Sequence, residues 1–145
     1  MVRQSFRSLV VLVLALAAGC STAVTMDPPS ADGPRITDLE PRPTEVMAGC
    51  PLVLAFTFDA GDDEIVRAVA GWSRGAGRRR GAGHLVLEVS PETFAGHPHG
   101  EATARVVPPR AGLYSYYVQV EDRGGRKSNV LEAEVPVSGW WGSGC

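Results

Sequence analysis

Lysine is almost missing from this chain. Lys127 is the only one, so the basic side of the charge balance is otherwise arginine. Net charge is small as well: 14 basic and 16 acidic residues leave −2, which gives no whole-protein reason to expect nucleic acid. Cysteine is scarce and odd in number. With three, at least one lies outside any intramolecular disulfide. No apolar run reaches the roughly 20 residues that a membrane-crossing helix needs, which excludes a polytopic membrane protein. No stretch has a convincing helical period, and no internal repeat occurs. No P-loop, Ser-His-Asp order or pair of catalytic carboxylates stands out. A length of 145 residues excludes a multidomain enzyme. What is plentiful is turn chemistry: 17 glycines and 11 prolines make about a fifth of the chain. Hydrophobic residues at 44% and charged residues at 21% are ordinary for one globular domain with a leader and linkers.

The first 19 residues read as an export signal. Arg3 and Arg7 form a positive start, and Leu9 to Ala18 is an unbroken apolar run. Ala17, Ala18 and Gly19 then lead into Cys20. Leu16-Ala17-Ala18-Gly19-Cys20 resembles the lipobox of bacterial lipoproteins, whose cysteine is lipidated and becomes residue one. Ordinary cleavage after Ala17, at Ala15-Leu16-Ala17, is the alternative. The resemblance implies a lipid anchor at Cys20 that holds the chain in the cell envelope. One acyl chain binds a membrane only marginally, whereas two or three hold firmly. Ser21, where Asp would signal inner-membrane retention, favours the outer membrane. Removing the leader leaves 12 basic against 16 acidic side chains, and two cysteines, Cys50 and Cys145, in an oxidising compartment.

Residues 21–34 carry Pro28, Pro29, Gly33 and Pro34 and no apolar period, so residues 20–34 read as a lipidated cysteine and a flexible linker. Extended, that linker reaches about 45 Å. From Arg35 onward, apolar residues alternate and turn signals recur about every ten residues, the pattern of an all-β sandwich. Seven strands are expected, over 35–40, 52–58, 65–72, 84–89, 102–107, 113–121 and 129–137. Inward rows include Leu52, Leu54, Phe56 and Phe58; Val66, Ala68, Ala70 and Trp72; and Tyr114, Tyr116, Val118 and Val120. Gly112-Leu113-Tyr114 resembles a tyrosine corner, Trp72 a core tryptophan, and Val120-x-Asp122-x-x-Gly125-x-x-Ser128 the final hairpin of bacterial immunoglobulin-like modules. Residues 35–137 therefore resemble an immunoglobulin-like or fibronectin-type-III-like domain, followed by a tail over 138–145.

Strand parity places the candidate sites. Antiparallel strands bring the first, third and fifth turns and the C-terminus to one end of the sandwich. Cys50 and Cys145 both fall there, so a disulfide between them is expected, with two free thiols as the alternative. Trp140-Trp141 in the tail is either a lid on the sandwich edge or an exposed pair that stacks on a glycan. Arg74, Arg78, Arg79 and Arg80 in a Gly-rich loop, with Arg110 in the next turn at that end, form a candidate contact for envelope polyanions. The opposite end gathers Asp59, Asp62, Asp63 and Asp122, a candidate Ca²⁺ ligand set that lacks the EF-hand order. His97-Pro98-His99 is a weak zinc signal at the same end. The expectation is a non-enzymatic, lipid-anchored envelope protein without a required cofactor, making structural or adhesive contacts with an envelope protein or glycan. The alternative is a ligand-binding module, with Ca²⁺ at the acidic loops or a polyanion or glycan at the Arg loop or Trp pair.

Overall fold

A computed structural model describes residues 25–75, 81–139 and 145. Cys20, Arg78, Arg79, Arg80, Trp140 and Trp141 lie outside the described residues, as does the leader. The chain forms β1 (Arg35–Arg42), β2 (Val46–Met47), β3 (Leu52–Asp59), β4 (Ile65–Gly75), β5 (Gly81–Val86), α1 (Pro91–Phe94), β6 (His99–Val106), β7 (Gly112–Asp122) and β8 (Leu131–Ser138). They build a sandwich of two sheets, with strand orders β1-β3-β6 and β2-β8-β7-β4-β5. All pairings are antiparallel except β2 with β8.

The alternation in the sequence decides what lies between the sheets. Leu52, Leu54, Phe56 and Phe58 of β3 face Tyr114, Tyr116, Val118 and Val120 of β7, and all are buried. Burying a side chain of this size stabilises the fold by roughly 1.5–3 kcal/mol each. Small residues complete the layer: Ala68 and Ala70 of β4, Ala102 and Ala104 of β6.

The structure departs from the expected strands at four points. The described residues form eight strands, because the two-residue β2 adds a parallel edge that periodicity over two residues cannot reveal. A register shift between Ile65 and Arg67 breaks the period of β4, so Ile65 is buried and Val66 is exposed, the reverse of strict alternation. A short helix, α1, interrupts the β5–β6 connection, and its Phe94 meets Phe58 edge-on at 5.1 Å.

The fourth departure concerns the linker. Residues 25–34 run across the outer face of the five-stranded sheet. His84 Nε2 lies 3.0 Å from the Thr25 carbonyl, and Gln119 Nε2 donates to the Asp27 carbonyl at 2.9 Å. Ser30 and Lys127 exchange two bonds: Ser30 N–H to the Lys127 carbonyl, and Lys127 N–H to Ser30 Oγ, each 3.0 Å. This strap explains why Gln119, a polar residue in phase with the solvent face, is only 1% exposed. Its amide is satisfied by the Asp27 and Ser128 carbonyls.

Candidate functional site

The end grouping by parity holds. Cys50 is bonded to Cys145 (Cα–Cα 5.3 Å), and Gly49 N–H donates to the Pro108 carbonyl, joining the β2–β3 and β6–β7 turns. At the opposite end Ala60 N–H donates to the Pro98 carbonyl, and Arg123 N–H to the Glu64 carbonyl.

The acidic end does not form a calcium site. Arg126 occupies the place a cation would take: its Nε donates to Asp122 Oδ2 at 2.7 Å and its side chain reaches Asp63 Oδ2 at 2.9 Å. Hydrogen bonding to Asp122 holds the guanidinium above its ordinary pKa. Asp59 Oδ1 and Asp63 Oδ1 accept backbone N–H groups of the turn, from Gly61 and Glu64. Asp59, Asp62, Asp63 and Asp122 therefore do not converge on one point. Among the described residues no group of three or more His, Cys, Asp or Glu side chains can hold a metal, the segment of His97 and His99 included.

Of the arginine set, the described members are Arg74 and Arg110. Arg74 is placed at the tip of β4, directly opposite Tyr114 and Gly81. Its aliphatic stem lies against Gly112, where an added Cβ would stand 3.0 Å from Cγ. Arg110, two residues before Gly112, is exposed in the adjoining turn.

The aromatics next to Arg74 mark a site that the sequence reading missed. Arg74 shares phase with Ala68, Ala70 and Trp72, so it belongs to the inner face. An inward arginine beside inward aromatics was the available signal. β5 and β6 are each an edge strand of one of the two sheets, and the segment 87–98 crosses between them. The sandwich is open along this side. A cleft of about 320 Å³ lies there, lined by Trp72, Leu85, Tyr114, Tyr116, Arg105 and Glu88 among others.

The aromatic floor is ordered by strand pairing. Trp72 is opposite Tyr116 across β4–β7 and opposite Gly83 across β4–β5. Its indole lies on the β5 backbone: a Cβ added at Gly83 would come within 2.9 Å of Nε1. Glycine at 83 leaves room for the ring, and the ring in turn covers an otherwise bare strand. Tyr114 and Tyr116 stack at 5.8 Å with a 16° interplanar angle, and Trp72 is 5.9 Å from Tyr114.

Trp72 and Tyr114 thus depart from their expected roles. Trp72 is partly exposed and lines the cleft as well as touching the core. Tyr114 makes no corner hydrogen bond: among the described residues neither its phenol nor that of Tyr116 has a hydrogen-bond partner. Both side chains are almost wholly buried, yet neither oxygen is sealed from solvent without a partner, so both reach the cleft. Arg105 and Glu88, exposed at the rim, likewise make no ion pair among the described residues.

Burial raises the Tyr116 pKa well above the ordinary tyrosine value, and the neighbouring Tyr114 adds to the rise. The unfolded chain deprotonates near pH 10 while the folded chain keeps the proton. Stability from this site is therefore complete below about pH 10 and falls as pH rises above it. Urea midpoints of wild type and Tyr116→Phe should run parallel from pH 7 to 9 and diverge above 10, with wild type falling faster. Parallel curves throughout would refute this assignment.

No protein-family model matches the chain, and no curated protein does. Several solved structures resemble it. The PKD domain of an M14-like peptidase from a Thermoplasmatales archaeon aligns at 15% identity and a TM-score of 0.46, covering 73% of this chain and 93% of that one. The Niemann-Pick type C2 protein of the Japanese carpenter ant aligns at 8% identity and 0.47, covering 73% and 93%. The SrpA adhesin of Streptococcus sanguinis aligns at 14% identity and 0.46, covering 74% and 58%. Likeness at this level is one of general β architecture.

Proposed function

We propose that the chain is a non-enzymatic, lipid-anchored envelope module with an immunoglobulin-like sandwich, and that its task is to hold a ligand in the β5–β6 cleft. The observation that carries this reading is the Trp72–Tyr114–Tyr116 array. These aromatics border an open cleft, and the two tyrosine phenols have no hydrogen-bond partner among the described residues. Aromatic faces bordered by hydrogen-bonding groups suit a sugar ring: apolar C–H surface packs on the indole, and hydroxyls bond to the phenols and Glu88. Arg105 favours a sugar bearing carboxylate or phosphate, because guanidinium pairs bidentately with both. The ligand class is an anionic saccharide of the envelope. This is the ligand-binding alternative rather than simple structural or adhesive contact. Anchoring through Cys20, with the outer membrane as destination, is the accompanying proposal for location.

Titration of acidic oligosaccharides, followed by calorimetry, tests the site. Trp72→Ala should weaken binding about tenfold or more, since one stacking contact contributes on the order of 1 kcal/mol beyond its buried area. Gly83→Val should produce a similar loss by displacing the indole. Arg105→Ala should erase the preference for acidic over neutral sugars. Unchanged affinity in folded Trp72→Ala protein would remove the cleft from consideration.

A further inference from the structure

The strap over residues 25–34 changes where the domain can stand relative to its anchor. A free linker from Cys20 to Pro34 would let the sandwich drift tens of ångströms from the membrane. Instead the chain is held to the sheet from Thr25 onward, through His84, Gln119 and Lys127. Five residue steps separate Cys20 from Thr25, and at full extension they span at most about 17 Å. The strap also fixes the direction of departure. It crosses the sheet from the β7–β8 turn at Lys127, past Gln119 in β7, and leaves at His84 on β5, the free edge.

That edge is one wall of the cleft. Leu85 and Val86 line both the cleft and the pocket beneath the strap. The mouth also has an unusual rim. Val86 is 59% exposed and Val107 is 48% exposed, among the few large apolar side chains left open to solvent, and Arg105 lies close to Val107 in the chain. Exposed aliphatic groups beside a guanidinium match the headgroup layer of a bilayer, where apolar tips enter and cations meet anionic lipid.

We propose that the β5–β6 side of the sandwich rests against the bilayer that holds Cys20, and that the cleft takes an anionic sugar headgroup of a lipid in that same membrane. This rests on the Cys20 anchor and on the cleft reading given above. The mature full-length chain is reconstituted into vesicles of phosphatidylcholine, with or without glucuronosyl diacylglycerol. An environment-sensitive fluorophore is attached through Val86→Cys, Val107→Cys or, as a distant control on β8, Glu134→Cys. Emission at 86 and 107 should rise at least about twofold on reconstitution, with no such rise at 134. The glucuronosyl lipid should add a further rise at 86 and 107 that Trp72→Ala removes. Equal responses at all three positions, with lipid at Cys20 shown by mass spectrometry, would overturn the orientation and leave the anchor standing. An unlipidated N-terminus would overturn both. Binding of soluble acidic oligosaccharide without a response to the glucuronosyl lipid would overturn the membrane ligand and leave the cleft reading intact.

Discussion

Replacing both Cys50 and Cys145 with alanine should lower the stability of the fold by up to about 4–5 kcal/mol. The estimate comes from chain entropy, since the bridge closes a loop with a sequence separation of 95 and long loops lose the most freedom when closed. A native stability of about 5–15 kcal/mol makes this a large fraction of the total. The position adds to the effect. Cys50 is itself part of the core and follows the two-residue β2, whose pairing to β8 is too short to hold that edge alone. Without the bridge, β2 and the end of β8 should fray together. Guanidinium unfolding of the double variant against oxidised wild type measures the loss, and hydrogen exchange at Met47 and Ser138 locates it. Reduction of the wild-type protein should reproduce the shift. A change below about 1 kcal/mol would mean that the strand pairings alone secure this end.

Much of this architecture is legible in the sequence because period-two alternation is a strong signal wherever one face is buried. The inward rows of β3 and β7 follow it, with Ala55 and Gln119 the outward-phase residues that are buried as well. The Val120-x-Asp122-x-x-Gly125-x-x-Ser128 pattern is also physically readable. Val120 N–H donates to Ser128 Oγ while Ser128 N–H returns a bond to the Val120 carbonyl. Asp122 holds the backbone of Arg126, and Gly125 takes a φ of +78°, which a side chain would strain. The pattern describes a hairpin and carries no information about a ligand.

The strap was hidden for the opposite reason. Residues 25–34 have no period, and their order comes from partners up to 97 positions away, such as Lys127 for Ser30. The cleft was hidden because its aromatics satisfy the inward alternation perfectly well. What makes them a site is that β5 and β6 are both free edges, a property of sheet order that no local window contains. The expected arginine contact took in Arg74 and Arg110 but not Arg105, whose place on the β6 edge beside the aromatics comes from strand order.

Asp122→Ala should destabilise the fold by about 2–3 kcal/mol, far more than any other single substitution at the acidic end. Its carboxylate is fully buried and serves two donors, the Arg126 backbone N–H at 2.9 Å and Arg126 Nε at 2.7 Å. Hydrogen bonds to a charged acceptor contribute roughly 1.5–3 kcal/mol, and the vacated N–H is left part-buried without a partner. Asp63→Ala should cost less than about 1 kcal/mol, because that pairing with Arg126 is partly open to solvent. Asp122→Asn should fall between the two, keeping an acceptor oxygen for the backbone while losing the charge that Arg126 meets. The order Asp122→Ala, Asp122→Asn, Asp63→Ala separates an internal clamp from a metal site. A calcium site would make all the carboxylates matter together and would make the melting temperature depend on calcium. An internal clamp predicts the steep ranking, with wild-type melting unchanged by calcium or chelator, because the cation that Asp122 requires is already supplied by Arg126 four residues along the chain.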